Sequence, residues 1–67
     1  MNRVKEIRNK KDLTLLDLAK KTDIATSDIS QIETGKKYPF PGWRERLSKA
    51  LEVPETELFP EINQEVE

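Results

Sequence analysis

Reactive side chains set the first boundary on what this chain does. Cysteine and histidine are both absent from its 67 residues, which removes thiolate nucleophiles, disulfides, imidazole bases and nearly every zinc site. Thirteen Asp and Glu residues remain, but they are scattered, with no neighbouring base, metal cluster or glycine-rich phosphate loop. No catalytic constellation can be built from them, so an enzyme is the most distant reading. No metal, cofactor or small-molecule substrate is expected. What is left is the chemistry of charge and hydrogen bonding. All 12 Lys and Arg residues lie within residues 1–49, where seven acids oppose them, whereas residues 50–67 carry six acids and no base. The net charge of -1 therefore conceals a basic body and an acidic end, and a basic body attracts polyanions. Solubility alone is the competing explanation for such asymmetry in a chain that is 37% charged.

Those charges need elements to hold them, and apolar spacing supplies helices only; no strand alternation, repeat or low-complexity segment occurs. Val4 and Ile7 mark one narrow face of a first helix between Asn2, a candidate N-cap, and Lys11. Thr14 and Asp17 form an approximate capping box ahead of a second helix from Leu15 to Thr22. Asp23 tolerates the left-handed backbone that closes such a helix, and Ile24 points back to the core. A third helix opens at Ala25 or Thr26, buries Ile29 and Ile32, and ends at Gly35. Residues 35–42 hold both glycines and two prolines and read as a loop. Pro41 then starts a fourth helix whose stripe of Trp43, Leu47, Ala50 and Leu51 buries the tryptophan. A short acidic fifth helix begins at Pro54, with Leu58 and Phe59 packing back on the body, and Pro60 stops it. The expectation is an all-α, compact five-helix bundle over residues 1–59, followed by an acidic C-terminal tail at 60–67. In that tail Ile62 and Val66 lie one turn apart and can extend as an amphipathic helix when a partner is present.

Leu15–Thr22 and Thr26–Thr34, separated by a short turn, have the spacing of a helix-turn-helix, whose second helix enters the DNA major groove. Spacing alone fits any small helical bundle. The residue string Leu13 to Pro39, LTLLDLAKKTDIATSDISQIETGKKYP, goes further: it resembles the Xre and Cro type phage-repressor helix-turn-helix family, in register from Val4 to Phe59. Leu13, Thr14, Leu18, Ala19, Ile24, Ile29, Ser30, Ile32, Glu33, Gly35, Lys36 and Pro39 stand at the family's characteristic positions. Three positions depart from its pattern: Leu15 replaces a frequent glutamine, Ala25 a capping hydroxyl and Asp23 a glycine.

The resemblance implies a role for each matched residue. Ala19 is small where the second and third helices cross. Arg8 and Glu33 match a pair that ties the first helix to the end of the third; taken as a surface pair it contributes about 0–1 kcal/mol, so its value lies in orientation. Thr26, Ser27, Ser30 and Gln31 are the implied base readers, and the Gln31 amide can donate to and accept from adenine at once. Asp28 is expected to cap the helix rather than meet phosphate. Lys36, Lys37, the backbone N–H groups beside Gly35, Tyr38 and Arg44 are the implied phosphate contacts, though loop lysines are ordinarily only solvated.

The expected function is a sequence-specific, double-stranded-DNA-binding transcriptional regulator that occupies an operator as a homodimer, with Leu58, Phe59, Ile62 and Val66 as the dimer surface. The alternative is a protein-interaction module of the same fold, an antirepressor or antitoxin, presenting Leu16, Tyr38 and Phe40 to its partner. A cytoplasmic location fits the missing cysteines and the lack of an apolar run long enough to span a bilayer. Without disulfides or a metal, a chain this short relies on helix packing or self-association for its stability.

Overall fold

Local hydrogen bonds decide where the helices begin and end. The structure, a computed structural model, describes residues 2–63, and among them every regular element is a helix: α1 (Val4–Lys10), α2 (Leu15–Thr22), α3 (Thr26–Glu33), α4 (Pro41–Leu51), α5 (Glu55–Leu58) and α6 (Pro60–Asn63). The Thr14–Asp17 capping box is present in both directions, Asp17 N–H donating to Thr14 Oγ1 and Thr14 N–H to Asp17 Oδ2, each at 3.0 Å. The Thr14 backbone N–H holds the Asp17 carboxyl below its ordinary value. A lowered folded-state pKa means stability that is present at neutral pH and diminishes as acid protonates the group. Asp23 closes α2 in the left-handed region at φ 61°. The buried Thr22 hydroxyl donates to the Leu18 carbonyl and accepts from Ile24 N–H, turning Ile24 inward.

Asn2 caps α1 from one position earlier than an ordinary N-cap: its Oδ1 accepts from Val4 N–H at 3.1 Å while its Nδ2 donates to the Ile32 carbonyl at 2.8 Å. The same side chain therefore starts α1 and fastens it to the end of α3.

The core is one cluster built from Val4, Ile7, Leu18, Ile24, Ile29, Ile32, Leu47, Leu51, Leu58 and Phe59. α2 lies against both α3 and α4, and α4 also meets α1 and α5. Burial of these side chains, worth about 1.5–3 kcal/mol each for a large aliphatic or aromatic residue, is the main force available to a chain without cross-links.

Four expectations change. The described residues form six helices rather than five, because Pro60 both ends α5 and serves as the first residue of α6, where its missing N–H costs nothing. Ile62 on α6 packs against the core. Trp43 is only partly buried: one side packs against the core, and the other meets Phe40, itself exposed, and the Lys37 ammonium. Leu58 and Phe59 lie inside at 0% and 1% exposure, so they offer no surface to a second copy. Val66, also expected at that surface, and the rest of residues 64–67 lie outside the described residues, as does Met1.

Candidate nucleic-acid interface

The third helix sorts its side chains cleanly. Ile29 and Ile32 are fully buried, and that fixes which edge of α3 faces out. Thr26, Ser27 and Gln31 are exposed and Ser30 is half-buried. At spacings of three and four they share one edge of the helix. The structure thus brings the four expected base readers together. Ala19 is partly buried against the core on α2, which packs directly on α3.

α3 is held at its far end by an ion pair of unusual burial for so small a chain. Arg8 Nε meets Glu33 Oε2 at 2.7 Å and Arg8 Nη2 meets Oε1 at 3.2 Å, a two-pronged contact, while Nη1 donates to the Leu13 carbonyl at 2.9 Å. The side chains are 10% and 4% exposed. The pairing expected from the sequence exists, but it is an interior contact and not a surface pair of small energy.

Just beyond Glu33 the chain reverses at Gly35, φ 83°. Gly35 N–H donates to the Ile32 carbonyl and Lys36 N–H to Gln31, the two bonds of a Schellman ending, and Lys37 N–H shares the Gln31 carbonyl. From the sequence these amides are expected to meet phosphate. They are instead committed to the carbonyls that α3 would otherwise leave unpaired.

The cations after this turn divide in two. Lys36 is exposed and makes no ion pair among the described residues. Lys37 is half-buried, its Nζ 3.1 Å from Asp28 Oδ1 and 5.7 Å from the centre of the Trp43 ring. Asp28 consequently does not cap α3, whose start has no side-chain cap; it faces the loop. Arg44 is occupied too. Its Nη1 donates to the Pro39 carbonyl at 2.7 Å and reaches Tyr38 Oη at 3.4 Å, and its Nε lies 3.6 Å from Glu55. Arg44 clamps the loop between α3 and α4 from inside and so is not a free phosphate ligand.

Tyr38 remains exposed and meets Phe40 edge-on with ring centres 5.4 Å apart; Phe40 meets Trp43 in the same manner at 6.2 Å. Leu16, Tyr38 and Phe40 are the exposed large apolar side chains among the described residues, at 56%, 50% and 57%. The sequence points to all three, but not to the aromatic chain that links two of them to the tryptophan. A further cationic group, Lys21, Arg46 and Lys49, lines a shallow groove beside Ala50 and Glu52, where Arg46 reaches the Thr22 carbonyl. No motif in the sequence marks this group, although Lys49 and Arg46 lie one turn apart on α4.

No helix of the described residues is long and apolar enough to cross a membrane. A family model for the helix-turn-helix domain matches residues 1–63. No curated protein matches the sequence.

Proposed function

This chain belongs to the helix-turn-helix domain family, a DNA-binding and non-catalytic kind of domain, and we propose that it is a sequence-specific transcriptional regulator of the Xre and Cro type. One observation carries the reading: Thr26, Ser27, Ser30 and Gln31 share the outward edge of an α3 whose opposite side is locked by Ile29, Ile32 and the Arg8–Glu33 pair. A helix presented this way can enter a major groove with its polar edge against the bases. Gln31 is the residue best suited to specify a base, since its amide matches adenine in two hydrogen bonds. Lys36 supplies the free positive charge at the rim, with Lys37 and Tyr38 beside it, and the exposed N-terminal turns of α2 and α3 add the partial positive charge of a helix start. Regulation then follows from occupancy of an operator, with no chemistry by the protein, in the cytoplasm where the chromosome is.

Four readers inspect only a few base pairs, while a genome offers about a million or more competing sites. Two copies are required to read enough sequence, and a symmetric pair implies inverted half-sites about one helical turn apart. With Leu58 and Phe59 buried, the exposed large apolar side chains left for self-association among the described residues are Leu16, Tyr38 and Phe40. Selection from random duplex DNA, with sequencing of what is retained, is expected to return an inverted repeat. Sedimentation with the selected duplex should find two copies per site. Retention of no common sequence would refute specific reading, and a single copy on a site without symmetry would refute the dimer.

Two substitutions separate anchoring from reading. Lys36→Ala with Lys37→Ala should weaken binding to every duplex and flatten the dependence of log affinity on log salt by about 0.9 for each phosphate left without its lysine. An unchanged slope removes these lysines from the interface. Gln31→Ala should keep the fold and give up about 1–3 kcal/mol of discrimination at one base position. If discrimination persists, Gln31 is not the reader and Thr26 or Ser27 takes its place.

A protein-interaction module is the second reading, favoured by the exposure of Leu16, Tyr38 and Phe40. Failure of the DNA selection, together with the disappearance of protein binding in Phe40→Ser, would favour it.

A further inference from the structure

Lys37 stands where a phosphate ligand is wanted and yet is already matched with an anion. Its backbone N–H is fixed to the Gln31 carbonyl, its ammonium to Asp28, and the same ammonium lies 5.7 Å from the centre of the Trp43 ring. Asp28 in turn lies one helical turn before Gln31 on α3. The three residues are therefore one local unit: a base reader, a carboxylate beside it, and the cation that the carboxylate holds. A carboxylate on a surface meant for DNA is unfavourable unless something other than phosphate faces it. Asp28 makes no cap and has no hydrogen bond to the helix start that would explain its presence. The pair is also partly open to solvent, 36% exposed at Lys37 and 29% at Asp28, so another anion can compete for the ammonium.

We propose that Asp28 is a specificity-determining residue that works by exchange of partners. Away from its site, Asp28 occupies Lys37 in the place of a phosphate, and generic duplex is held without that contact. On the proper site, Lys37 passes to a phosphate, and the freed carboxylate accepts a hydrogen bond from the amino group of a cytosine next to the base that Gln31 reads. Acidic side chains recognise that amino group in the major groove. A duplex without the cytosine offers Asp28 no replacement donor, so release of Lys37 leaves a carboxylate facing the phosphates unpaired. The sequence penalty and the phosphate contact are thereby linked through one ion pair. The inference rests on the DNA-binding reading above and adds to it the base class read by Asp28 and the reason Lys37 is masked.

The test is Asp28→Asn in the full chain, on random-sequence duplex and on the selected duplex, across a salt series, with the melting curve of each protein recorded. Asparagine matches aspartate in shape, and Asp28→Ser serves as a second variant should the first fold poorly. Random duplex is expected to bind several-fold tighter, with a salt slope steeper by about 0.9, the value of one further phosphate. In Asp28→Ala, which offers no acceptor, discrimination for cytosine at the position flanking the Gln31 base is expected to fall by about 5- to 150-fold, the value of one good base contact. In a Lys37→Ala background the same substitution should leave the slope where it was. Unaltered slope and random-duplex affinity in Asp28→Asn overturn the masking of Lys37, and retained cytosine preference in Asp28→Ala overturns the exchange. If even the unaltered protein holds no duplex at low salt, the DNA-binding reading falls and this inference with it.

Discussion

Glu33→Ala is expected to cost about 3–5 kcal/mol of folding stability, because it leaves the Arg8 guanidinium charged, buried and without its two-pronged partner. A chain of this length has roughly 3–10 kcal/mol in total, so the variant should be largely unfolded at room temperature or melt far below the parent. The destabilisation comes from the group left behind rather than from the bond removed. Arg8 retains only its hydrogen bond to the Leu13 carbonyl, and its 10% exposure gives water little access to the rest. Replacing both residues with apolar ones of similar volume, Arg8→Met with Glu33→Leu, should accordingly restore most of the stability, since two buried charges then disappear together. Urea denaturation of the single and double variants checks the cycle. Equal destabilisation in both would show that the pair is net stabilising and not merely costly to break. If the proposed DNA reading holds, the double variant should discriminate among duplexes less well, because nothing directional then fixes the end of α3 relative to α1.

Much of this architecture is legible in the sequence because its causes are short-ranged. The Thr14–Asp17 box involves residues three apart, Asp23 and Gly35 act through their own backbone angles, and the alternation of buried Ile29 and Ile32 with outward Thr26, Ser27 and Gln31 follows from helical period alone. What escapes depends on where distant pieces of chain meet. The Arg8–Glu33 pair, 25 residues apart, is reached only through resemblance to a family string, and its burial is not reached at all. The Asp28–Lys37 contact spans the Gly35 reversal, and no periodic pattern tells which way a loop side chain turns after such a reversal. Arg44 is basic and follows the third helix closely in the chain, which is why phosphate is the partner its position suggests; the Pro39 carbonyl and Glu55 claim it first. An apolar stripe shows which face of a helix is covered but not how far the cover extends. Trp43 therefore reads as an interior residue, and Leu58 and Phe59 read as having surface to spare.

Phe59→Ala is expected to cost about 3–5 kcal/mol, the range for truncating a large aromatic residue inside a packed core. Phe59 is among the largest of the fully buried side chains, and it sits at the joint between two helices of only four residues each. Helices that short have no stability of their own, since nucleation is not recovered before the helix ends. α5 and α6 therefore depend on what they bury. Leu58 and Phe59 go into the core from the end of α5, Ile62 follows from α6, and the Leu58 carbonyl accepts from Arg3 N–H at 2.8 Å, joining this end of the chain to its beginning. Removing the ring opens a cavity under both helices and loosens the bond to Arg3 at once. Phe59→Leu, which keeps most of the volume, should be much less destabilised. Hydrogen exchange distinguishes local from global failure: fast exchange confined to Arg3 and residues 55–63 would mean that the end has detached while α1–α4 persist. Fast exchange throughout α2 and α3 would mean that the helix-turn-helix itself needs this closure to fold, and the high cost with global unfolding is the outcome expected, because Leu47 and Leu51 of α4 share the same core. Retention of parental stability in Phe59→Ala would overturn the assignment of Phe59 to that core.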